Sequence, residues 1–208
     1  MGTESHPRTI VVATGNRHKV DEIASALDFP GWRFMAAAET EAGWDEPVED
    51  GDTFVDNARI KARAAHLRFG VASLADDSGL EVDALGGAPG VHSSRFAGED
   101  ATDARNNALL LDRLASFAPG ERAARFRSTL VFIDEQGAET VVSGACEGSI
   151  GFEPRGENGF CYDPLFLPAD TPGCTMAELS MAEKNAISHR GAALRALKAV
   201  LSETATSE

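Results

Sequence analysis

Two consecutive aspartates, Asp76 and Asp77, follow directly on an apolar run at residues 71–75, and this segment restricts the fold and function most strongly. The run is typical of a buried strand. In open α/β sheets ligands bind beyond the carboxyl ends of strands, and carboxylates suit Mg²⁺. We therefore expect the strand to end at Asp76-Asp77-Ser78-Gly79, with one aspartate facing a ligand and the other structural. The alternative is a helix or turn cap, which leaves two costly acids beside a core.

Strand and helix signals alternate in the first half of the chain, and the second half contains an antiparallel hairpin. The predicted strands are residues 9–13, 71–75, 80–85, 125–132 and 140–150. The predicted helices are a segment that ends near Leu27, residues 53–69, residues 102–117 and a C-terminal segment that ends near Leu201. Loops are predicted at residues 86–90 and 151–172. Capping-box patterns are present at Thr53 with Asp56 and at Ser180 with Glu183.

These elements predict an α/β fold in which an elongated mixed β-sheet is flanked by helices, with two lobes and a central cleft. We expect one domain over residues 1–208, with polar and frayed ends at residues 1–7 and 202–208. A hydrophobic content of 43% allows a sizeable core.

The formal net charge of -14 argues against a nucleic acid or an anionic membrane as a partner. Three cysteines without CxxC spacing argue against a disulfide framework or a zinc site. The polar start has no apolar signal segment, and no apolar run approaches the roughly 20 residues of a membrane span. We therefore expect a cytoplasmic protein whose partner is a small molecule.

The segment Thr14-Gly15-Asn16-Arg17-His18-Lys19 is a candidate phosphate site, because it follows a predicted strand and opens a predicted helix. Free N–H groups at a helix start favour a phosphate, and Gly15 allows close backbone approach. Lys19 falls in the first helical turn, where its amine could reach that phosphate. The glycine spacing does not match a Walker A loop, and an ordinary strand–helix turn is the alternative.

A second acidic segment, Glu49-Asp50-Gly51-Asp52, precedes the helix that carries Asn57 and Lys61. Asn57 and Lys61 are four residues apart and share a helix face. Glu49 could supply a second metal carboxylate, and Lys61 a counter-charge for a phosphate. The alternative is a solvated acidic loop with an exposed lysine.

Aromatic and basic residues recur near the C-terminus and could contact a base. The loop Gly159-Phe160-Cys161-Tyr162-Asp163-Pro164 carries two aromatics that could stack on a base or form a small satellite core. Lys184 and the segment Ser188-His189-Arg190-Gly191 supply donors for a carbonyl-bearing base edge. Lys184 and His189 are five residues apart, so either the helix breaks near Ser188 or the two residues have separate roles.

Taken together and in this order, these segments resemble the inosine/xanthosine triphosphate pyrophosphatases, which act on noncanonical purine nucleotides. The resemblance extends from about residue 9 to residue 200, and its most specific motifs are Asp76-Asp77-Ser78-Gly79 and Ser188-His189-Arg190-Gly191. The other matching runs are Ala13-Thr14-Gly15-Asn16 with Lys19, Phe54 to Asn57 with Lys61, Gly86-Gly87-Ala88-Pro89-Gly90-Val91 through Ser94-Arg95, and Gly159-Phe160 with Tyr162-Asp163-Pro164.

The resemblance implies a Mg²⁺-dependent homodimer that cleaves ITP, dITP or XTP to the monophosphate and pyrophosphate. It implies a catalytic Asp77 that also binds the metal with Glu49, although Asp50 or Asp52 could replace Glu49. The implied substrate contacts are Thr14, Gly15, Asn16, Arg17, His18, Lys19, Lys61, Ser78, Phe160, Cys161, Tyr162, Asp163, Lys184, His189 and Arg190.

The sequence departs from the family pattern at Cys161, where glycine is usual, and at His92, where tyrosine is usual. Two other functions are kept as alternatives. One is the same hydrolysis of another modified nucleotide, and the other is nucleotide binding without hydrolysis.

Overall fold

The computed structural model of this chain describes residues 8–15, 17–40 and 43–205, with the backbone alone at residues 17, 18, 204 and 205. The strands, numbered along the chain, are β1 (Arg8–Val12), β2 (Trp32–Ala36), β3 (Ala72–Val82), β4 (Ala123–Ile133), β5 (Glu139–Ile150) and β6 (Phe166–Pro168). The α-helices are α1 (Arg17–Leu27), α2 (Phe54–Phe69), α3 (Asp103–Arg113), α4 (Met181–Ile187) and α5 (His189–Ala205). Among the described residues, no helix has the length and hydropathy that a membrane span needs.

The six strands form one mixed sheet in the order β2–β1–β3–β4–β5–β6. β1 is parallel to both β2 and β3, whereas β5 and β6 are antiparallel. A short turn joins β4 to β5, with Asp134 N–H donating to Ala138 O, and a connection this short allows only an antiparallel pair. The predicted α/β class, with a mixed sheet flanked by helices, is confirmed.

The chain divides into two compact units. Unit 1 contains the described residues of Met1–Asp77, Thr129–Ser143 and Ala193–Glu208, and unit 2 contains Ser78–Ser128 and Gly144–Ala192. Each of β3, β4 and β5 contributes residues to both units.

In unit 1 the sheet is buried on both faces, because neighbouring strand residues enter different cores. Ile10 and Leu74 belong to a core that also contains Leu194 of α5, whereas Val11 and Ala75 pack with the alanines of α2. This division follows the alternation of side chains along a strand, and it explains why the runs are apolar without interruption. Unit 2 has a separate core that includes Leu80, Leu110, Phe126, Tyr162 and Phe166.

The prediction that a strand ends at the two aspartates is wrong. β3 continues through Asp76 and Asp77 to Val82, so the acids lie inside one long strand. This strand includes most of the predicted strand 71–75 and the first half of the predicted strand 80–85, whose last three residues form the 3₁₀ helix Asp83–Leu85. Lys19 pairs with Asp76 and Lys61 with Asp77, and these ion pairs offset part of the expected penalty for acids inside a buried strand. β2 and β6 were not predicted. β6 has only three residues, and β2 lacks the β-branched run that marked the equally short β1.

The helix starts follow the predicted caps. Thr53 accepts a hydrogen bond from the Asp56 N–H, and Ser180 forms a full capping box with Glu183. The predicted helix 102–117 is too long, because α3 ends at Arg113 and its C-cap, Leu114, has a non-helical ψ of 4°. The helical C-terminus breaks at Ser188, whose extended ψ of 153° separates α4 from α5. The alternative of a broken helix is therefore confirmed.

We expect Thr53→Ala to lower the free energy of unfolding by about 1 kcal/mol, because it removes the acceptor for the first turn of α2. Thr53→Ser keeps the hydroxyl and should restore most of that loss. Urea denaturation of the three proteins measures the difference. Equal stability of the alanine and wild-type proteins would contradict the cap.

Candidate active site

The ammonium of Lys61 is buried in unit 1, with a relative exposure of 4% for the residue. Its Nζ lies 3.2 Å from Glu49 Oε2 and 3.3 Å from Asp77 Oδ1, and it donates to the Asp76 carbonyl oxygen at 3.0 Å. Burial alone lowers the pKa of Lys61, but the charges of Asp77, Glu49 and Asp76 together raise it above its ordinary value. Lys61 therefore remains an ammonium ion and joins the acidic loop to β3.

Asp77 is also buried, and its Oδ2 has no hydrogen-bond partner. Burial raises the pKa of Asp77 from 3.8 to about 6; the nearby carboxylates of Glu49 and Asp76 add to the rise, and Lys61 opposes it. A buried carboxylate oxygen without a donor is costly in the unliganded protein. The arrangement leaves this oxygen available for a proton or a cation.

Asp76 and Asp77 contact different lysines, in agreement with the alternation of strand side chains. Asp76 Oδ2 lies 3.1 Å from Nζ of Lys19, which comes from the first turn of α1. The aspartate that was expected to be structural therefore holds the lysine of the candidate phosphate segment. In that segment Thr14 is half-buried and Gly15 is exposed, whereas Asn16 and the side chains of Arg17 and His18 lie outside the described residues.

Glu49 is the residue of the acidic segment that contacts Lys61, whereas Asp50 and Asp52 are exposed. The segment is attached to α2 by a hydrogen bond of 2.9 Å from the Gly51 N–H to Asn57 Oδ1. A Cβ at Gly51 would lie 2.6 Å from the Asp56 Cβ, so only glycine allows this approach. Asn57 and Lys61 thus both hold the acidic segment. In the sequence, their four-residue spacing was the signal that placed them on one face of the helix.

The donor set of this cluster fits a magnesium ion that also binds substrate. Among the described residues, no three His, Cys, Asp or Glu side chains form a ready metal site. Mg²⁺ in nucleotide enzymes commonly takes one or two carboxylates and completes its shell with phosphate oxygens and water. Glu49 and Asp77 supply such a pair of carboxylates, and Asp77 Oδ2 has no other partner.

A second cluster lies in unit 2 around Phe160, a residue that is 43% exposed. Lys184 Nζ lies 4.6 Å from the ring centroid, and the guanidinium carbon of Arg190 lies 6.0 Å from it. Asp163 connects Phe160 to Lys184. Its Oδ2 accepts a hydrogen bond from the Phe160 N–H at 2.8 Å and lies 2.6 Å from Lys184 Nζ. The cluster presents an aromatic face beside two cations.

Of the two alternatives for the aromatics of this loop, the structure excludes stacking on a base for Tyr162. Tyr162 is fully buried in the core of unit 2, and its hydroxyl donates to the Ser93 carbonyl oxygen at 2.8 Å. Burial raises the pKa of Tyr162 well above its ordinary value. The satellite-core alternative therefore applies to Tyr162, while Phe160 remains available to a ligand. Between them, Cys161 has a φ of 53°, a left-handed conformation that explains why glycine is usual there.

The break at Ser188 starts α5 with His189 and Arg190, both of which are buried. The His189 ring stacks on Phe126, with centroids 4.9 Å apart and an interplanar angle of 17°. Arg190 Nη2 donates to Ser78 Oγ at 3.3 Å, so these two predicted substrate contacts are neighbours. His92, the other departure from the family pattern, is exposed in the short 3₁₀ helix Gly90–Arg95.

We expect Asp77→Asn to raise the free energy of unfolding at pH 8 by on the order of 1 kcal/mol in the presence of a chelator. The folded-state pKa of Asp77, about 6, is higher than its ordinary 3.8, so its ionisation costs stability as pH rises from 3.8 to about 6, and the full cost is present above that pH. The gain should shrink as pH falls below about 6 and disappear below 3.8, where Asp77 is protonated in both the folded and the unfolded state. Urea denaturation at both pH values tests this, with the exposed Asp50→Asn as a neutral control. If the Asp77→Asn protein is less stable than wild type at pH 8, ionised Asp77 does not destabilise the fold.

Comparison with known proteins places these clusters in a family. The model of the Ham1 family matches residues 10–200. A dITP/XTP pyrophosphatase of Haemophilus influenzae is 49% identical over 194 residues, covering 92% of this chain and 98% of the relative. The protein of the same name from Exiguobacterium sibiricum is 50% identical over 192 residues, covering 92% and 96%.

Solved structures agree with the sequence relatives. The Ham1 protein of Coxiella burnetii has a TM-score of 0.85 at 43% identity, covering 94% of this chain and 99% of that one. The Staphylococcus aureus Ham1 protein has a TM-score of 0.85 at 36% identity, covering 95% and 100%. The family model, the relatives and the folds agree over nearly the whole length, and this chain belongs to the Ham1 family.

Proposed function

We propose that this chain is a nucleoside triphosphate pyrophosphatase that hydrolyses ITP, dITP and XTP to the monophosphate and pyrophosphate. The relatives that cover nearly all of the chain carry the name dITP/XTP pyrophosphatase. The observation that carries the proposal is the buried Lys61, which holds Glu49 and Asp77 beside each other while one Asp77 oxygen has no partner. Release of pyrophosphate requires water to attack the α-phosphorus.

The phosphates of the substrate are assigned to the start of α1 and to the two lysines. The first N–H groups of a helix lack intrahelical partners and favour an anion. Lys19 lies in the first turn of α1 at 3.1 Å from Asp76, and Lys61 lies beside Asp77. Both ammonium groups stabilise the charge that develops on the leaving pyrophosphate.

Mg²⁺ is the proposed cofactor, with Glu49 and Asp77 as its protein ligands. When bound, a divalent cation neutralises phosphate charge and polarises the phosphoryl group. The Asp77 carboxylate has a second proposed role, which is to orient a water molecule and accept its proton. Asp76 keeps Lys19 in place through its ion pair.

The purine base is assigned to the cluster in unit 2. The exposed Phe160 ring offers a stacking face, and Lys184 and Arg190 lie over or beside it. His189 and Arg190 supply donors to the 6-oxo group of hypoxanthine or xanthine. Adenine has an amino group there, which would leave buried donors unsatisfied at a cost of about 1–3 kcal/mol. The proposal also includes the homodimer that the family resemblance implies.

A substrate panel is the direct test of this function. We expect ITP, dITP and XTP to yield pyrophosphate and the monophosphate, with kcat/KM for ATP at least about tenfold lower. GTP and dUTP complete the panel, and excess chelator should abolish turnover if Mg²⁺ is required. Coupled detection of pyrophosphate and of orthophosphate separates the products. Release of orthophosphate alone, or equal use of ATP, would falsify the proposal.

We expect Asp77→Asn to lower kcat for ITP by at least about a hundredfold, because an amide can neither accept the proton nor replace the metal carboxylate. Steady-state pyrophosphate release measures kcat, and thermal melting verifies the fold. Asp45→Asn, a change at an exposed acid before the same segment, is the matched control and should keep wild-type kcat. Wild-type turnover by a folded Asp77→Asn protein would remove Asp77 from the mechanism.

A further inference from the structure

Cys161 has a backbone conformation that its side chain disfavours. Its φ of 53° lies in the left-handed region, where a Cβ crowds the carbonyl oxygen and glycine is preferred. A glycine would adopt this φ without help from its surroundings. Since cysteine stands there, other contacts must hold the turn.

Two side chains of α3 hold the Cys161 residue at both of its peptide groups. Asp103 Oδ2 accepts a hydrogen bond from the Cys161 N–H at 2.7 Å, and Asn107 Nδ2 donates to the Cys161 carbonyl oxygen at 2.9 Å. Asp103 and Asn107 are four residues apart and share one face of the helix. We call this pair the α3 clamp.

The residue immediately before the clamped one is Phe160, the exposed aromatic of unit 2. Its N–H is bound by Asp163 Oδ2 at 2.8 Å, and its carbonyl group forms the peptide bond to the clamped Cys161 N–H. The backbone of Phe160 is therefore fixed on both sides, while the residue stays 43% exposed. An exposed ring on a loop keeps one orientation only if the backbone beneath it is held.

We propose that Asp103 and Asn107 are positioning residues for nucleotide binding: they hold the left-handed turn at Cys161 and thereby orient the Phe160 ring toward the base. This inference rests on the proposed function. Neither residue is among the base contacts assigned above, so both act through Phe160. The residues that contribute to nucleotide binding thus include two from α3, which no motif in the sequence indicated.

Three variants separate the contacts of the clamp. Asn107→Leu keeps the approximate shape but removes the donor, and Asp103→Ala removes the acceptor. We expect each to raise KM for ITP about threefold to tenfold while kcat changes less than twofold, which matches the loss of one hydrogen bond. Asp103→Asn keeps an acceptor oxygen while losing the charge, so its KM should stay within twofold of wild type. A loss confined to kcat, or equal losses in Asp103→Asn and Asp103→Ala, would overturn the proposal.

The thiol of Cys161 gives a readout that does not depend on activity. Cys174 is exposed, Cys146 is buried and Cys161 is intermediate, so the chain contains its own references for alkylation. The proteins are treated with iodoacetamide, and peptide mass spectrometry gives the alkylation rate of each cysteine. In the Asn107→Leu protein we expect Cys161 to be alkylated at least threefold faster than in wild type, with an unchanged rate at Cys146. Equal acceleration at Cys146 would show that the clamp stabilises the whole unit instead of the loop, and would overturn the proposal.

A double-mutant cycle tests whether the clamp acts through Phe160. In a Phe160→Ala background, the effect of Asn107→Leu on KM should fall below twofold, and a full effect there would contradict the inference. If Phe160→Ala by itself leaves KM unchanged, the assignment of Phe160 to the base fails. That failure is distinct, because the alkylation experiment still reports whether the clamp holds the loop.

Discussion

Lys61 brings three oxygen groups together at one buried nitrogen: the carboxylates of Glu49 and Asp77, and the carbonyl of Asp76. Without this ammonium, two acids inside a buried strand would be left without a counter-charge, and burial of that kind is strongly unfavourable. The contact also attaches the acidic segment to β3, and the hydrogen bond from the Gly51 N–H to Asn57 holds the same segment against α2. The two carboxylates assigned to the metal, those of Glu49 and Asp77, therefore share a single lysine.

The same cluster holds more negative than positive charge. Three carboxylates, those of Glu49, Asp76 and Asp77, surround the two ammonium groups of Lys19 and Lys61. The excess is concentrated at Asp77, where burial and the neighbouring acids raise the pKa and one oxygen has no donor. An enzyme can retain such a costly group because substrate or metal removes the cost on binding, and this is a common origin of the conflict between stability and activity.

In unit 2 the loop of Phe160 shows how one short segment serves two purposes. Tyr162 points into the core and anchors the loop through its hydroxyl, while Phe160, two residues earlier, stays partly exposed. Asp163 connects the backbone of the loop to Lys184 through a single carboxylate oxygen. The Tyr162 hydroxyl and the Phe160 N–H thus have partners inside the protein, while Phe160 stays partly exposed.

The sequence by itself determined the α/β class, the helix starts at Thr53 and Ser180 and the motifs of the Ham1 family, because caps and apolar periodicity act over a few residues. Only the tertiary structure decided that β3 passes through Asp76 and Asp77, that Tyr162 is core, and that α3 holds the Phe160 loop. These features depend on partners far apart in the chain: Lys61 and Asp77 are separated by 16 residues, and Asn107 and Cys161 by 54. No local pattern encodes such pairings, since they arise when the fold brings the side chains together.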